Sequence, residues 1–182
     1  MKQILDQAFE GQKKELTEQA SRTLKAQHKY VMEQYGPRMS GIYNTREYRL
    51  ADLVKSIAIW DGPACQPAHI PESEKKGSWV IDESKLQKKA EDHAQKSVDQ
   101  WKAKIISKLE NLDNISIAKL DGACGFYITG DRDGRSVEIN QRMILNFRYS
   151  TGTIFNQFPS RIYVDGKSMS ENKYKEVFKE VA

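Results

Sequence analysis

The stretch Ile115–Val164, ISIAKLDGACGFYITGDRDGRSVEINQRMILNFRYSTGTIFNQFPSRIYV, decides how the chain is read. Apolar and polar residues alternate along it, and turn sequences punctuate it at Asp121-Gly122, Gly130 to Gly134, Ser150 to Gly152 and Pro159-Ser160. A period of two puts one side of each segment in a core and the other in water, as half-buried antiparallel strands require. Glycine, aspartate and proline between such segments are hairpin chemistry. Six strands are expected: Ile115–Leu120, Gly125–Thr129, Ser136–Asn140, Met143–Tyr149, Ile154–Phe158 and Arg161–Val164. In the fourth, Met143, Leu145, Phe147 and Tyr149 share one face, and Ile144, Asn146 and Arg148 the other.

Outward from this stretch the period changes to that of helices. Leu86, Ala90, Ala94, Val98, Trp101, Ile105, Leu109 and Leu112 recur every three or four residues, with lysines and carboxylates opposite, so a long helix follows Asp82 or Ser84. Its stripe of Val98, Trp101, Ile105 and Leu109 is expected to meet Val137, Ile139, Leu145 and Phe147 of the sheet. After the sheet, Val164-Asp-Gly-Lys reads as a tight turn, and Ser170 caps a last helix with Tyr174, Val177, Phe178 and Val181 inward.

Toward the N-terminus, Leu5, Phe9, Leu16, Ala20, Leu24, Val31 and Tyr35 outline a helix ended by Gly36-Pro37, its stripe interrupted by Gln12, Gln19 and Gln27. A second helix, capped by Asn44 or Thr45, carries Leu50, Leu53, Val54 and Ile57, with Ile57 to Trp60 readable as a buried strand instead. Residues 62–78 form a long Pro- and Gly-bearing loop. The expected fold is α+β, a long amphipathic helix packed on a small antiparallel sheet and closed by a C-terminal helix. Its segments are a helical region 1–60, a linker 61–81 and residues 82–182, within one cooperative domain.

Composition narrows the class. At 182 residues, 38% hydrophobic and 30% charged, the chain can build a sizeable core. No apolar run is long enough for a bilayer and the first residues lack a signal-peptide core, which predicts a cytoplasmic protein without membrane contact. Two cysteines do not make a disulfide framework. The net charge of +4 is spread thinly, so no segment reads as a basic arm for nucleic acid.

Three constellations touch on chemistry. Cys65 and His69, with His93 and Cys124, offer zinc-type ligands without the paired spacing of a zinc site. Cys124 among small residues invites a nucleophile reading, against which a plain strand-start cysteine is preferred. Asp131-Arg-Asp133-Gly134 echoes a calcium loop but has Arg142 where the twelfth-position glutamate belongs. Neither a metal nor any other cofactor is expected, and with no Walker, dinucleotide, zincin or serine-elbow motif the chain reads as a non-enzyme.

More distinctive is the window Gly134–Val164, which holds Arg135, Arg142, Arg148 and Arg161, no lysine, and only Glu138 to oppose them. Arginine's planar fork suits carboxylate, phosphate and ring recognition. Arg135, Arg142, Arg148, Arg161, Tyr163 and Gln157 are therefore the candidate binding residues, against the plainer alternative that the arginines sit on edge strands and pair locally, with Glu138 or with carboxylates of the helices. A non-catalytic protein that binds another protein is the leading reading, and a single-stranded nucleic-acid binder with stacking tyrosines is the alternative. An enzyme without a local motif comes third. The apolar stripe of the first helix also suggests a homodimer. In size and plan the chain resembles small accessory proteins of phages and mobile elements, including inhibitors; that likeness is one of type and implies no site residues.

Overall fold

The computed structural model describes residues 2–39, 42, 44–67, 69–71, 73–148 and 153–178, with the side chains of residues 2, 4, 46, 147 and 153 left aside. In chain order the elements are α1 (Lys2–Tyr35), α2 (Thr45–Ile57), β1 (Ala58–Asp61), β2 (Ser78–Ile81), α3 (Glu83–Leu109), β3 (Asp113–Lys119), β4 (Gly125–Arg132), β5 (Arg135–Arg142), β6 (Ile144–Arg148), β7 (Thr153–Gln157), β8 (Ser160–Val164), β9 (Lys167–Met169) and α4 (Glu171–Val177). The fold is α+β with antiparallel sheets, as the sequence periods require. Two compact units are present. The first is Met1–Leu16, Ala94–Asn146 and Asn156–Ala182; the second is Thr17–His93 and Phe147–Phe155.

In the first unit, β3, β4, β5, β8 and β9 form one five-stranded sheet in that order. Its strands are joined by turns that sequence chemistry specifies. Asp133-Gly134 between β4 and β5, and Asp165-Gly166 between β8 and β9, all take positive φ (51°, 72°, 49° and 74°), the geometry of a two-residue hairpin loop. Phe126, Ile128, Val137, Ile139, Ile162 and Val164 are buried on one face. Against them lie Ala94, Val98, Trp101, Ile105 and Leu109 of α3 and Leu5, Phe9 and Leu16 of α1. At the centre Trp101 stacks on Phe126 at 4.7 Å, and Phe9 meets both rings edge-on at 5.1 and 5.0 Å. Such offset and T-shaped pairs add about 0.5–1.5 kcal/mol each beyond the area they bury.

The glutamines of α1 were expected to interrupt its stripe; Gln12 and Gln27 are instead buried members of it. Gln12 makes the reason plain. Its side-chain amide donates to the Gly125 carbonyl at 2.6 Å and accepts from the Gly125 N–H at 2.9 Å, completing the backbone of β4 where the strand begins. A Cβ at Gly125 would sit 2.6 Å from both the Gln141 carbonyl oxygen and the Leu120 side chain, so only glycine fits under this clamp.

Three expectations need correction. All six strand candidates form, but β6 and β7 pair as a separate two-stranded sheet instead of extending the main one. The buried Met143 precedes β6, Leu145 is half-buried and Ile144 is 42% exposed. Ser160–Val164 follows β5 directly in the sheet, so the hairpin is looped out between them. Tyr149, the turn at residues 150–152 and Val181 lie outside the described residues, as does the Phe147 side chain. Val177, expected inward, is 37% exposed, because α4 ends at that residue and its buried face is carried by Tyr174 and Phe178. Both edges of the main sheet are protected: β9 has three residues, and β3 shifts register between Asp113 and Ser116, with Asn114 at φ 52°.

In the second unit, Val31, Met39, Leu50, Ala51, Val54 and Ala58 form a smaller core with Tyr30, Tyr35 and Trp79 packed against it. Asn44 caps α2 by accepting from the Glu47 N–H. The helix stops at Ile57 and the chain turns directly into β1, which pairs with β2 through Ile59 opposite Val80 and Trp60 opposite Trp79. The intervening loop is closed by Gln66, whose amide both donates to and accepts from the Lys76 backbone.

Candidate functional site: the open face of the five-stranded sheet

Because side chains alternate along a strand, burying Phe126, Ile128, Val137, Ile139, Ile162 and Val164 turns their neighbours to the opposite face. Strand register then arranges those neighbours in rows. Ala118, Tyr127, Asn140 and Arg161 lie side by side across β3, β4, β5 and β8. Ser116, Thr129, Glu138, Tyr163 and Ser168 form the next row, across all five strands. Arg142 stands at the end of β5, opposite Gly125. None of these row residues is buried, nor is Arg142, and the largest aliphatic side chain in the two rows is that of Ala118.

The electrostatics of this face are mixed. Tyr127 donates its hydroxyl to Glu138 at 2.8 Å. The carboxylate holds the phenolic proton and, with a smaller contribution from partial desolvation, raises the tyrosine's pKa above its ordinary value. Glu138 lies between the two tyrosines, bonded to one and directly across the β5–β8 ladder from the other. Arg142 and Arg161 are exposed, so their forks face solvent.

The six predicted binding residues therefore divide. Arg142, Arg161 and Tyr163 belong to the open face. Arg135 sits at the start of β5, where its Nε donates to Asp165 at 2.8 Å. That bond, helped by the Ser136 N–H, holds the Asp165 carboxyl below its usual range, with partial desolvation opposing. Arg148 and Gln157 lie on the separate β6–β7 hairpin. Arg148 has its guanidinium 5.3 Å from the Phe155 ring, and Gln157 accepts from Asn146 at 2.9 Å. A single arginine surface is thus not formed.

What sequence reasoning missed is Tyr127. Its signal was available: Phe126 and Ile128 on either side fix it to the opposite face from the core. Also missed is a polar cluster under the core face. There Lys108 of α3 donates to Gln141 at 3.0 Å and to Ser160 at 2.8 Å, and Gln141 in turn donates to the carbonyls of Arg142, Phe158 and Pro159. Burial pushes the Lys108 ammonium below its ordinary pKa, the Glu171 carboxylate acting the other way. No local pattern announces this cluster, since its members are brought together only by the packing of α3, β5, β8 and α4.

The other constellations do not assemble into chemistry. Cys124 is 2% exposed, so the accessible thiol a nucleophile needs is absent at that position. Cys65 and His69 are exposed on the 62–77 loop, and no group of three or more metal-ligating side chains converges among the described residues. Asp131 accepts from Asn114 at 2.9 Å beside the hairpin turn. The stripe of α1 that suggested a homodimer is spent within the chain: Leu5, Phe9, Leu16, Ala20, Leu24 and Val31 are all buried. Among the described residues no helix is long and apolar enough to cross a membrane.

No family model, no curated protein and no solved structure matches this chain.

Proposed function

We propose that the chain is a non-catalytic binding protein that docks another protein on the open face of its five-stranded sheet. The observation that carries this reading is the composition of that face: Tyr127, Tyr163, Asn140, Arg142 and Arg161 around one carboxylate, Glu138, none of them buried. Tyrosine and arginine are the residues that most often anchor protein interfaces. Both tyrosines stand on a rigid ladder, so little conformational freedom is lost when a partner covers them. The exposed guanidinium groups suit carboxylates of that partner. In this reading the protein is an accessory factor or inhibitor of the type made by phages and mobile elements, active in the cytoplasm, and a self-association is not required for it.

Single-stranded nucleic acid is the second reading, favoured by the same two tyrosines beside Arg142 and Arg161. Mixed charge weighs against it. Arg135 is paired with Asp165, and Glu138 offsets one of the two free arginines, leaving little net attraction for a phosphate backbone.

A capture experiment from native extract, with and without nuclease, tests both. The tagged chain is expected to retain a protein partner after nuclease treatment, and Arg142→Glu combined with Arg161→Glu is expected to release it while Arg148→Glu does not. Retention of the same partner by the double variant, or capture that disappears with nuclease, overturns the protein reading.

A further inference from the structure

The two-stranded sheet of the second unit, β1 with β2, has one finished edge and one open edge. Asp82 donates its N–H to the Ile57 carbonyl at 3.0 Å, and the register then makes Ile59 with Val80 a hydrogen-bonded pair and Trp60 with Trp79 a non-hydrogen-bonded one. The backbone groups of Trp60 and Trp79 therefore point away from each other. On the β2 side both are met: the Trp79 N–H donates to the Pro37 carbonyl at 3.0 Å, and the Trp79 carbonyl accepts from His28 Nε2 at 2.8 Å. On the β1 side no further strand pairs among the described residues, so the Trp60 N–H and carbonyl line an open edge. That edge carries a charge at each end. Lys85 donates to the Ala58 carbonyl at 3.2 Å, and Asp61 closes the strand in an exposed position. Ile59 and Val80 stand side by side on the outward face of the ribbon, 46% and 43% exposed. The other large exposed apolar residues among those described, Tyr48, Ile106, Ile144 and Val177, are scattered over four different elements.

We propose that this edge docks a second copy of the chain, β1 against β1 about a two-fold axis at Ile59, to give a continuous four-stranded antiparallel sheet. The direction of the free backbone groups fixes the register. The Trp60 N–H donates to the Ala58 carbonyl of the second copy, and the same bond runs back by symmetry. Ile59 then faces its own copy in a non-hydrogen-bonded pair, the closer of the two kinds, with a Val80 beside each. Four aliphatic side chains that stand in water in the single chain so cover one another. The charges name the occupant. Antiparallel self-pairing brings the Asp61 of each copy to the end of β1 that Lys85 of the other reaches, so two opposite-charge contacts form, and each ammonium exchanges a carbonyl for a carboxylate. A parallel arrangement would set Asp61 against Asp61. The chain itself thus carries the complement of its own edge. With four residues in the strand the interface is small, and the association is weak and reversible. The inference is independent of the proposed protein partner, because the five-stranded sheet belongs to the other unit.

Sedimentation velocity of the full chain, from micromolar to millimolar concentration, tests this. A reversible monomer–dimer equilibrium is expected, and Ile59→Lys is expected to leave a monomer throughout. Asp61→Lys and Lys85→Asp, each alone, are expected to weaken the dimer by about tenfold or more, since each places like charges at both ends of the shared edge. An equimolar mixture of these two variants is expected to associate again, because every charge contact in the mixed dimer is once more between opposite signs. All three positions are exposed, and circular dichroism checks that each variant is folded; should Ile59→Lys not be, the two charge variants and their mixture decide alone. A monomer at every concentration, a dimer indifferent to these substitutions, or a mixture no more associated than its components overturns the proposal.

Discussion

The two faces of the five-stranded sheet are built from the same strands and separated by one residue of register, yet they are governed by different energetics. On the core face, the large side chains have packed neighbours, and three polar side chains are committed as well: Gln12 closes on Gly125, Arg132 donates to Tyr174 and lies 4.6 Å from the Phe178 ring, and Lys108 is held by Gln141 and Ser160. On the open face, one side-chain pair, Tyr127 with Glu138, forms along the rows among the described residues, and Arg142 and Arg161 are exposed. Removing atoms from the first face therefore leaves holes or orphaned donors. Removing them from the second leaves a surface that water can cover.

That contrast can be broken most forcefully at its centre. Trp101→Ala deletes a fully buried ring that contacts both Phe9 and Phe126, and is expected to cost about 3–5 kcal/mol, read as a lower midpoint in urea unfolding. Gln12→Ala comes next. It strips partners from both the N–H and the carbonyl of the buried Gly125, and about 1–3 kcal/mol should be lost in the same assay. A loss as small as that of an exposed substitution would mean that water replaces the glutamine and that the clamp is dispensable.

Smaller effects sharpen the comparison at the rim. Asp165 has its carboxyl pKa lowered by Arg135, so the pair's contribution to stability is present above the unfolded carboxyl pKa of 3.8 and is lost as pH falls through the still lower folded value. Asp165→Asn is expected to flatten the acid limb of the stability profile slightly, and an unchanged limb would show that the Arg135 contact does not persist in solution. On the open face, Arg161→Ala is expected to shift unfolding stability by no more than about 0.5 kcal/mol, because an exposed arginine with no role in the core leaves nothing unsatisfied. A cost comparable to that of Gln12→Ala would make Arg161 a structural residue and remove it from the proposed interface.

Much of the fold was legible in the chain. The stripe from Leu86 to Leu112 is buried at every position named, and the caps at Asn44 and Ser170 accept the N–H groups their positions imply. The candidate surface was legible only by halves. The arginine-rich window Gly134–Val164 ends one residue before Asp165, the partner that neutralises Arg135. Arg148 falls in the same window, yet β6 and β7 pair with each other and not with β5 or β8. Linear proximity cannot distinguish a strand that continues a sheet from a hairpin that leaves it, since both alternate with the same period.

What the sequence determined by itself is the list of elements and the inward side of each, because helical and strand periods are local consequences of backbone geometry acting on side-chain polarity. Tertiary structure alone decided which strands share a sheet, that a glutamine within an apolar stripe completes a distant strand, and that Lys108 pairs with Glu171. Those outcomes depend on pairing across gaps as long as the 113 residues between Gln12 and Gly125, where the partners are selected by packing and by the cost of leaving buried polar groups unmet.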